Sequence, residues 1–146
     1  MYLTYPAIFY NIEEDNGINY IISFPDIDSN VTQGKDINDS MFMAQDYLGV
    51  TLSYYLEELG ELPKSTDINK IDLEKNNPFI DDADFVYSKE KSFVSMVSVD
   101  LTEYLNSQES IKKTLTIPKW LNNLGVKKEL NFSQLLQQAL KNELNV

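Results

Sequence analysis

The sequence predicts an α+β protein in two parts: a small antiparallel sheet carrying one long helix, then a short strand followed by two short helices. Three observations lead there. Two apolar segments near the N-terminus are joined by a hairpin signal, and an apolar stripe at helical spacing runs from about Asn38 to Leu59. Residues 111–144 then change in both pattern and charge, forming a basic island at the end of an acidic chain.

The first strands are expected at roughly Tyr2 to Tyr10 and Ile18 to Phe24. Between them Asn16-Gly17 tolerates the positive φ that a tight hairpin requires. A third short strand, about Asn30 to Gln33, follows the Pro25-Asp26 turn. In the helix that comes next, Met41, Ala44, Leu48, Leu52, Tyr55 and Leu59 share one face, and Gly60 and Pro63 end it. The run Phe93 to Val99 reads as a mostly buried strand. Three or four strands then make a small sheet with the helix against one face. The stretch from about Pro63 to Lys91 is polar and acidic and reads as loop, with a short strand near Phe85 to Tyr87.

In the C-terminal part, Ile111, Lys113, Leu115 and Ile117 alternate with Lys112, Thr114 and Thr116, the period-two pattern of a strand. A lone strand leaves its backbone groups unpaired, and pairing with the same strand of a second chain would satisfy them. Pro118 suits a first helical turn. Ile117, Leu121 and Leu124 follow at helical spacing with Trp120 beside them, and Gly125 stands where a helix commonly stops. The second helix is expected to start at Asn131, a capping residue with Gln134 three positions on, and to carry Phe132, Leu135, Leu136, Ala139, Leu140 and Leu144 on one side.

This order is the outline of a ribbon-helix-helix DNA-binding module. In it Leu115, Ile117, Leu121, Leu135 and Leu140 form a core shared by two chains, and Lys112, Thr114 and Thr116 face base edges in the major groove. Asn131 and Ser133, at a helix start with free N–H groups, hold phosphate. The same pattern also describes a strand and two helices packed onto the rest of a monomer, with ordinary solvated lysines. The charge division favours the first reading. Residues 110–146 hold six lysines against two glutamates, a net of +4, whereas residues 1–109 hold six lysines against 21 acids, a net of −15; together they give the −11 of the whole chain. Opposite charges on two parts of one chain point to partners of opposite charge. The composition break near Ser107 to Ser110 sets the expected domains at 1–109 and 110–146.

The chain has 146 residues, no cysteine, no histidine and no arginine. The lack of cysteine excludes disulfides and thiolate metal sites and fits a cytoplasmic protein. The N-terminus does not read as a signal peptide, and no apolar run reaches membrane-spanning length, so no membrane partner is expected. Acids are spread over loops, Glu13, Glu14 and Asp15 in the hairpin and Asp81, Asp82 and Asp84 further on. Nuclease chemistry would need carboxylates converging on metal ions, and the usual general bases and nucleophiles are missing. The expectation is a non-enzyme without metal or cofactor.

Tyr5-Pro-Ala-Ile-Phe9, Tyr20-Ile-Ile-Ser-Phe-Pro-Asp-Ile27 and Val31-Thr-Gln-Gly34 followed by a helix resemble the HicB family of type II toxin–antitoxin antitoxins. Lys113-Thr-Leu-Thr-Ile-Pro-Lys-Trp-Leu121 with Asn131-Phe-Ser-Gln-Leu135 resembles the ribbon-helix-helix version of that family's C-terminus. The likeness covers both ends, about two thirds of the chain, and leaves out the acidic stretch from about Glu61 to Lys91. It implies a degenerate RNase H-like N-terminal domain that blocks a small basic mRNA-cleaving toxin of the HicA type. It also implies a C-terminal module that binds operator double-stranded DNA of its own operon as a dimer or higher assembly. Asp28-Ser29-Asn30 stands where the family commonly has Pro-Gly, and Ser40 where it has Ala. Glu13, Glu14, Asp15, Asp26 and Asp28, in neighbouring loops of the acidic domain, are the candidate toxin contacts. The alternative is a stand-alone acidic binding module that its tail merely dimerises.

Overall fold

Strand β1 (Tyr2–Asn11) lies second from one edge of a four-stranded antiparallel sheet in the order β3-β2-β1-β4, with β2 at Tyr20–Ser23, β3 at Val31–Gly34 and β4 at Ser88–Asp100. The computed structural model describes residues 1–13, 17–27, 31–105 and 110–146. These divide into two compact units, Met1–Leu105 and Asn106–Val146. The break falls in the segment where composition changes.

In the first unit, alternation along β1 produces two apolar faces. Tyr5, Ala7 and Phe9 join Tyr20, Ile22, Val97 and Val99 in a core with Ala44, Leu48 and Leu52 of helix α1 (Ile37–Tyr54). Phe9 stacks on Phe93 across the β1–β4 pair, with centroids 4.7 Å apart and planes within 6°. Asp36 caps α1 by accepting from the Asp39 N–H at 2.8 Å, so the helix starts slightly before the expected Asn38. Gly49 lies under the Tyr104 ring, where a Cβ would come within 2.4 Å of it.

The expected helical face holds through Tyr55, which packs half-buried against the core, and fails at Leu59. Tyr55–Leu59 form a π-helical turn, and Leu59 is exposed. A wider turn shifts the side-chain phase, so a residue in register with the stripe by 3.6-residue counting rotates away from the core. Gly60, at φ 71°, ends the helix as expected. Gly17, at φ 83°, supplies the positive φ of the hairpin; Asn16 lies outside the described residues. Ser40 is buried, and its hydroxyl has no partner among the described residues.

The opposite face of β1, with Ile8 and Tyr10, is also buried, and the cover is the acidic segment. Tyr10 meets Phe85 and Tyr87 edge to face at 5.6 and 4.8 Å, and its hydroxyl donates to the Leu73 carbonyl at 2.8 Å. Tyr5 likewise donates to the Pro63 carbonyl. Burying one such ring contributes about 1.5–3 kcal/mol, which accounts for a charged, loop-like stretch staying on the sheet. No strand forms at Phe85 to Tyr87, contrary to expectation; β4 begins at Ser88. The aromatic residues there serve as a side-chain cover rather than a ladder. β4 itself is longer and less buried than expected, an edge strand with one face in the core. Where its register shifts between Phe9 and Asn11, the Ser92 hydroxyl fills the gap, accepting from the Asn11 N–H at 2.9 Å and donating to the Ser88 carbonyl at 2.6 Å.

Burial, with the nearby Tyr87 and Asp72 charges, pushes the Tyr10 phenol far above its ordinary value of 10.0; burial and Asp26 push Tyr5 up as well. Unfolded phenols ionise near pH 10, and a raised folded value means stability that is full below that pH and lost as pH rises beyond it. An ionised phenol also cannot donate to the carbonyls that tie down the acidic segment. Stability should therefore fall above about pH 10, and Tyr10→Phe should flatten that fall while lowering stability near pH 7 by about 0.5–1.5 kcal/mol. Denaturant unfolding at pH 7 and pH 10.5 checks both.

Candidate partner-binding surfaces

The candidate acids of the first unit differ in how much they are already engaged. Asp26 follows β2 in the Phe24–Ile27 turn, and its carboxylate accepts from the Thr66 N–H at 2.8 Å and from the Thr66 hydroxyl at 2.5 Å. It fastens the start of the acidic segment to the end of the sheet, a role that its position in a loop did not signal. Glu13 is exposed and pairs with Lys91 at 2.8 Å, and the lysine holds its carboxyl below the ordinary range. Glu14, Asp15 and Asp28 lie outside the described residues.

Between the sheet and the acidic segment runs a groove of about 990 Å³, its walls formed by Ile12, Ile21 and Val31 on one side and Phe79, Phe85 and Val86 on the other. Glu13, Asp82 and Asp84 also line it, and no lysine does. Phe79, Phe85 and Tyr87 stand out among the acids in the sequence, but Phe85 and Tyr87 are accounted for by packing on Tyr10, and the groove arises only once the segment folds against the sheet. Among the described residues no cluster of three or more carboxylates is placed to hold a metal ion.

In the second unit, helix α2 spans Lys119–Lys127 and α3 spans Phe132–Leu144. Asn131 caps α3, its side-chain oxygen accepting from the Gln134 N–H at 3.1 Å. Ser133 lies in the first turn of the same helix. Gly125 does not stop α2. It sits inside the helix and is buried, because Phe132 packs on it and a Cβ would come within 2.5 Å of that ring. The stop is Glu129, at φ 54°, where the Leu130 N–H reaches back to the Gly125 carbonyl and the Glu129 N–H to that of Val126, both at 3.0 Å. Glycine was thus chosen here for close packing, and a glutamate occupies the left-handed position.

Residues 111–117 form no strand within the single chain, and all are exposed. Period-two alternation alone does not make a strand, which needs a neighbour to ladder with, and none pairs with this segment among the described residues. Lys112, Thr114 and Thr116 therefore lie in an exposed, unladdered segment. Leu115, Ile117, Leu121, Leu135 and Leu140 are likewise exposed, Leu135 and Leu140 by half. Ile117, Leu121, Leu124, Phe132 and Leu135 line an almost wholly apolar groove of about 430 Å³. Gly125 is the one fully buried residue among those described in this unit. None of the unit's six lysines is in an ion pair among the described residues.

Comparison with known structures places this arrangement. A chain of a toxin–antitoxin complex from Streptococcus pneumoniae is 49% identical, with 98% of this chain and 99% of that one covered and a TM-score of 0.69. The Burkholderia pseudomallei antitoxin HicB is 20% identical over 98% and 97% of the two chains, with a TM-score of 0.44. Family models and curated protein sequences give no match. What the fold, the charge division and the first of these relatives define is the antitoxin of a toxin–antitoxin system, a regulatory protein and not an enzyme. The chain belongs to the same toxin–antitoxin family as that first relative. No helix among the described residues is long and apolar enough to cross a membrane.

The Gly125–Phe132 contact yields a local test, read through Trp120, the single tryptophan of the chain. Gly125→Ala should separate the two helices and lower the midpoint of the Trp120 fluorescence transition. Glu129→Gly, which relieves a left-handed non-glycine residue, should raise stability by about 0.5–1 kcal/mol.

Proposed function

We propose that this antitoxin neutralises a small basic HicA-type mRNA-cleaving toxin through its acidic unit, residues 1–109, and represses its own operon through residues 110–146. In this reading the first unit is a degenerate RNase H-like domain without catalysis. The second pairs with its counterpart from another chain as a ribbon-helix-helix module, in a homodimer or higher assembly, and binds operator double-stranded DNA in the cytoplasm.

The observation that carries it is the state of the C-terminal unit. An assembly of two helices with one buried residue and an apolar groove has no core of its own. Two copies brought together would bury Leu115, Ile117, Leu121, Leu135 and Leu140, each contributing about 1.5–3 kcal/mol. They would also let the 111–117 segments ladder with one another. The ribbon then presents Lys112, Thr114 and Thr116, with unpaired lysines around it, to a polyanion. The acidic unit, of opposite charge, suits a cationic protein and steers its encounter.

Growth rescue tests the first half: residues 1–109 alone should restore growth to cells expressing the toxin, and failure to do so removes this assignment. DNA titration at fixed salt tests the second. Thr116→Ala should narrow the gap between operator and random DNA by about 1–3 kcal/mol. Ser133→Ala should weaken both by a similar factor, because a phosphate contact carries no sequence information. Equal losses on both DNAs for Thr116→Ala would show that the strand face does not read bases, and an absence of DNA binding in the unaltered protein would leave the tail as a dimerising element only.

A further inference from the structure

The groove of about 990 Å³ between the sheet and the acidic segment has so far been given no role. It combines a mixed apolar and polar lining with an acidic rim, in which Glu13 is paired with Lys91. Ile12, Ile21, Phe79 and Phe85 form its interior, and Val86 stands at its margin with three quarters of its surface in solvent. Asp82 and Asp84 are exposed along one side, and neither they nor Asp81 enter an ion pair among the described residues.

Aromatic and aliphatic side chains left open beside unpaired carboxylates suit a protein partner. The chemistry of the groove decides among the occupants. Nucleic acid and a second copy of this domain are both disfavoured, because each would bring negative charge to a surface that is already strongly negative. A small polar ligand would need converging buried polar groups. The side-chain atoms that are buried without partners among the described residues, Asn11 Oδ1 and Ser40 Oγ, belong to residues that do not line it. What remains is a cationic protein surface whose lysines or arginines meet the aspartates while an apolar side chain packs against the Phe79–Phe85 pair from the open side of the groove.

We infer that this groove is where the antitoxin docks its cationic protein partner, so that the acidic segment is a binding element as well as a cover for the sheet. The inference rests on the proposed antitoxin function and adds the place of contact. It centres the docking surface on residues 79–87 and the facing strands, with Glu13 among the loop acids on its rim and Asp26 engaged with Thr66.

The experiment uses the full chain and its HicA-type partner produced as catalytically inactive protein, with dissociation constants measured at two salt concentrations. Asp84→Lys reverses one rim charge, and Val86→Asp keeps the groove acidic while spoiling its apolar margin. Both positions are exposed, so circular dichroism should show an unchanged fold. Glu61→Lys makes the same charge change as Asp84→Lys on an exposed residue outside the groove. Each groove variant should bind at least tenfold more weakly than the unaltered chain, Glu61→Lys should stay within threefold, and Asp84→Lys should show a shallower salt dependence. A loss below tenfold in either groove variant, or an equal loss in Glu61→Lys, overturns the inference while leaving the antitoxin function standing. If the unaltered chain does not bind the partner at all, the proposed function fails first and the inference with it.

Discussion

The first unit depends on covering both faces of a single strand. β1 carries bulky apolar side chains on each side, with Phe9 toward the helix and Tyr10 away from it, and neither ring has measurable exposure. A four-stranded sheet with one helix can bury only one such face. The second face accounts for the acidic segment. It is held by Asp26 at Thr66, by the Tyr5 and Tyr10 hydroxyls on backbone carbonyls, and by the Phe85 and Tyr87 rings. An acidic stretch thereby becomes the second layer of the domain. Residues 61–91 hold eight acids against five lysines, and Asp81, Asp82 and Asp84 cluster there without an ion pair among the described residues.

The second unit stands under the opposite constraint. Its helices are well specified locally, with a capping asparagine, a packed glycine and a left-handed stop. Yet they have almost no interior. Local signals can set where helices begin and end, but they cannot supply a core to a segment of this size. The two units thus offer unlike surfaces. One is a largely self-contained domain with an acidic groove, and the other is an apolar and basic half-structure whose exposed side chains call for a partner.

Much of the first unit was legible in the sequence because its signals are local. Period-two alternation, a Gly with positive φ and an apolar stripe ending at Gly60 each act within a few residues, and they placed β1, β2, β3 and α1 to within a few positions. The acidic segment was not legible, since its order comes from tertiary contacts with Tyr5, Tyr10 and Asp26, tens of residues away. Leu59 was misplaced because a π-helical turn breaks the 3.6-residue count. Gly125 was misread because a glycine admits two explanations, a left-handed stop or a close approach, and only the position of Phe132 decides between them. For the candidate sites, residue type marked the exposed lysines and threonines of 112–116 but gave no sign that Asp26 was committed to Thr66. The groove beside Phe79 and Phe85 needed the folded sheet before it existed.

In the proposed function the exposed apolar side chains of residues 111–144 are completed by a second copy of the same chain. Sedimentation equilibrium of the full-length protein, without toxin or DNA, over a micromolar concentration range tests it most directly. The account requires a mass of at least two chains, falling toward one when Leu135 is replaced by Ala, a change that typically costs about 2–5 kcal/mol in a packed core. A monomer across that range, or an undiminished dimer in the Leu135→Ala protein, would contradict it.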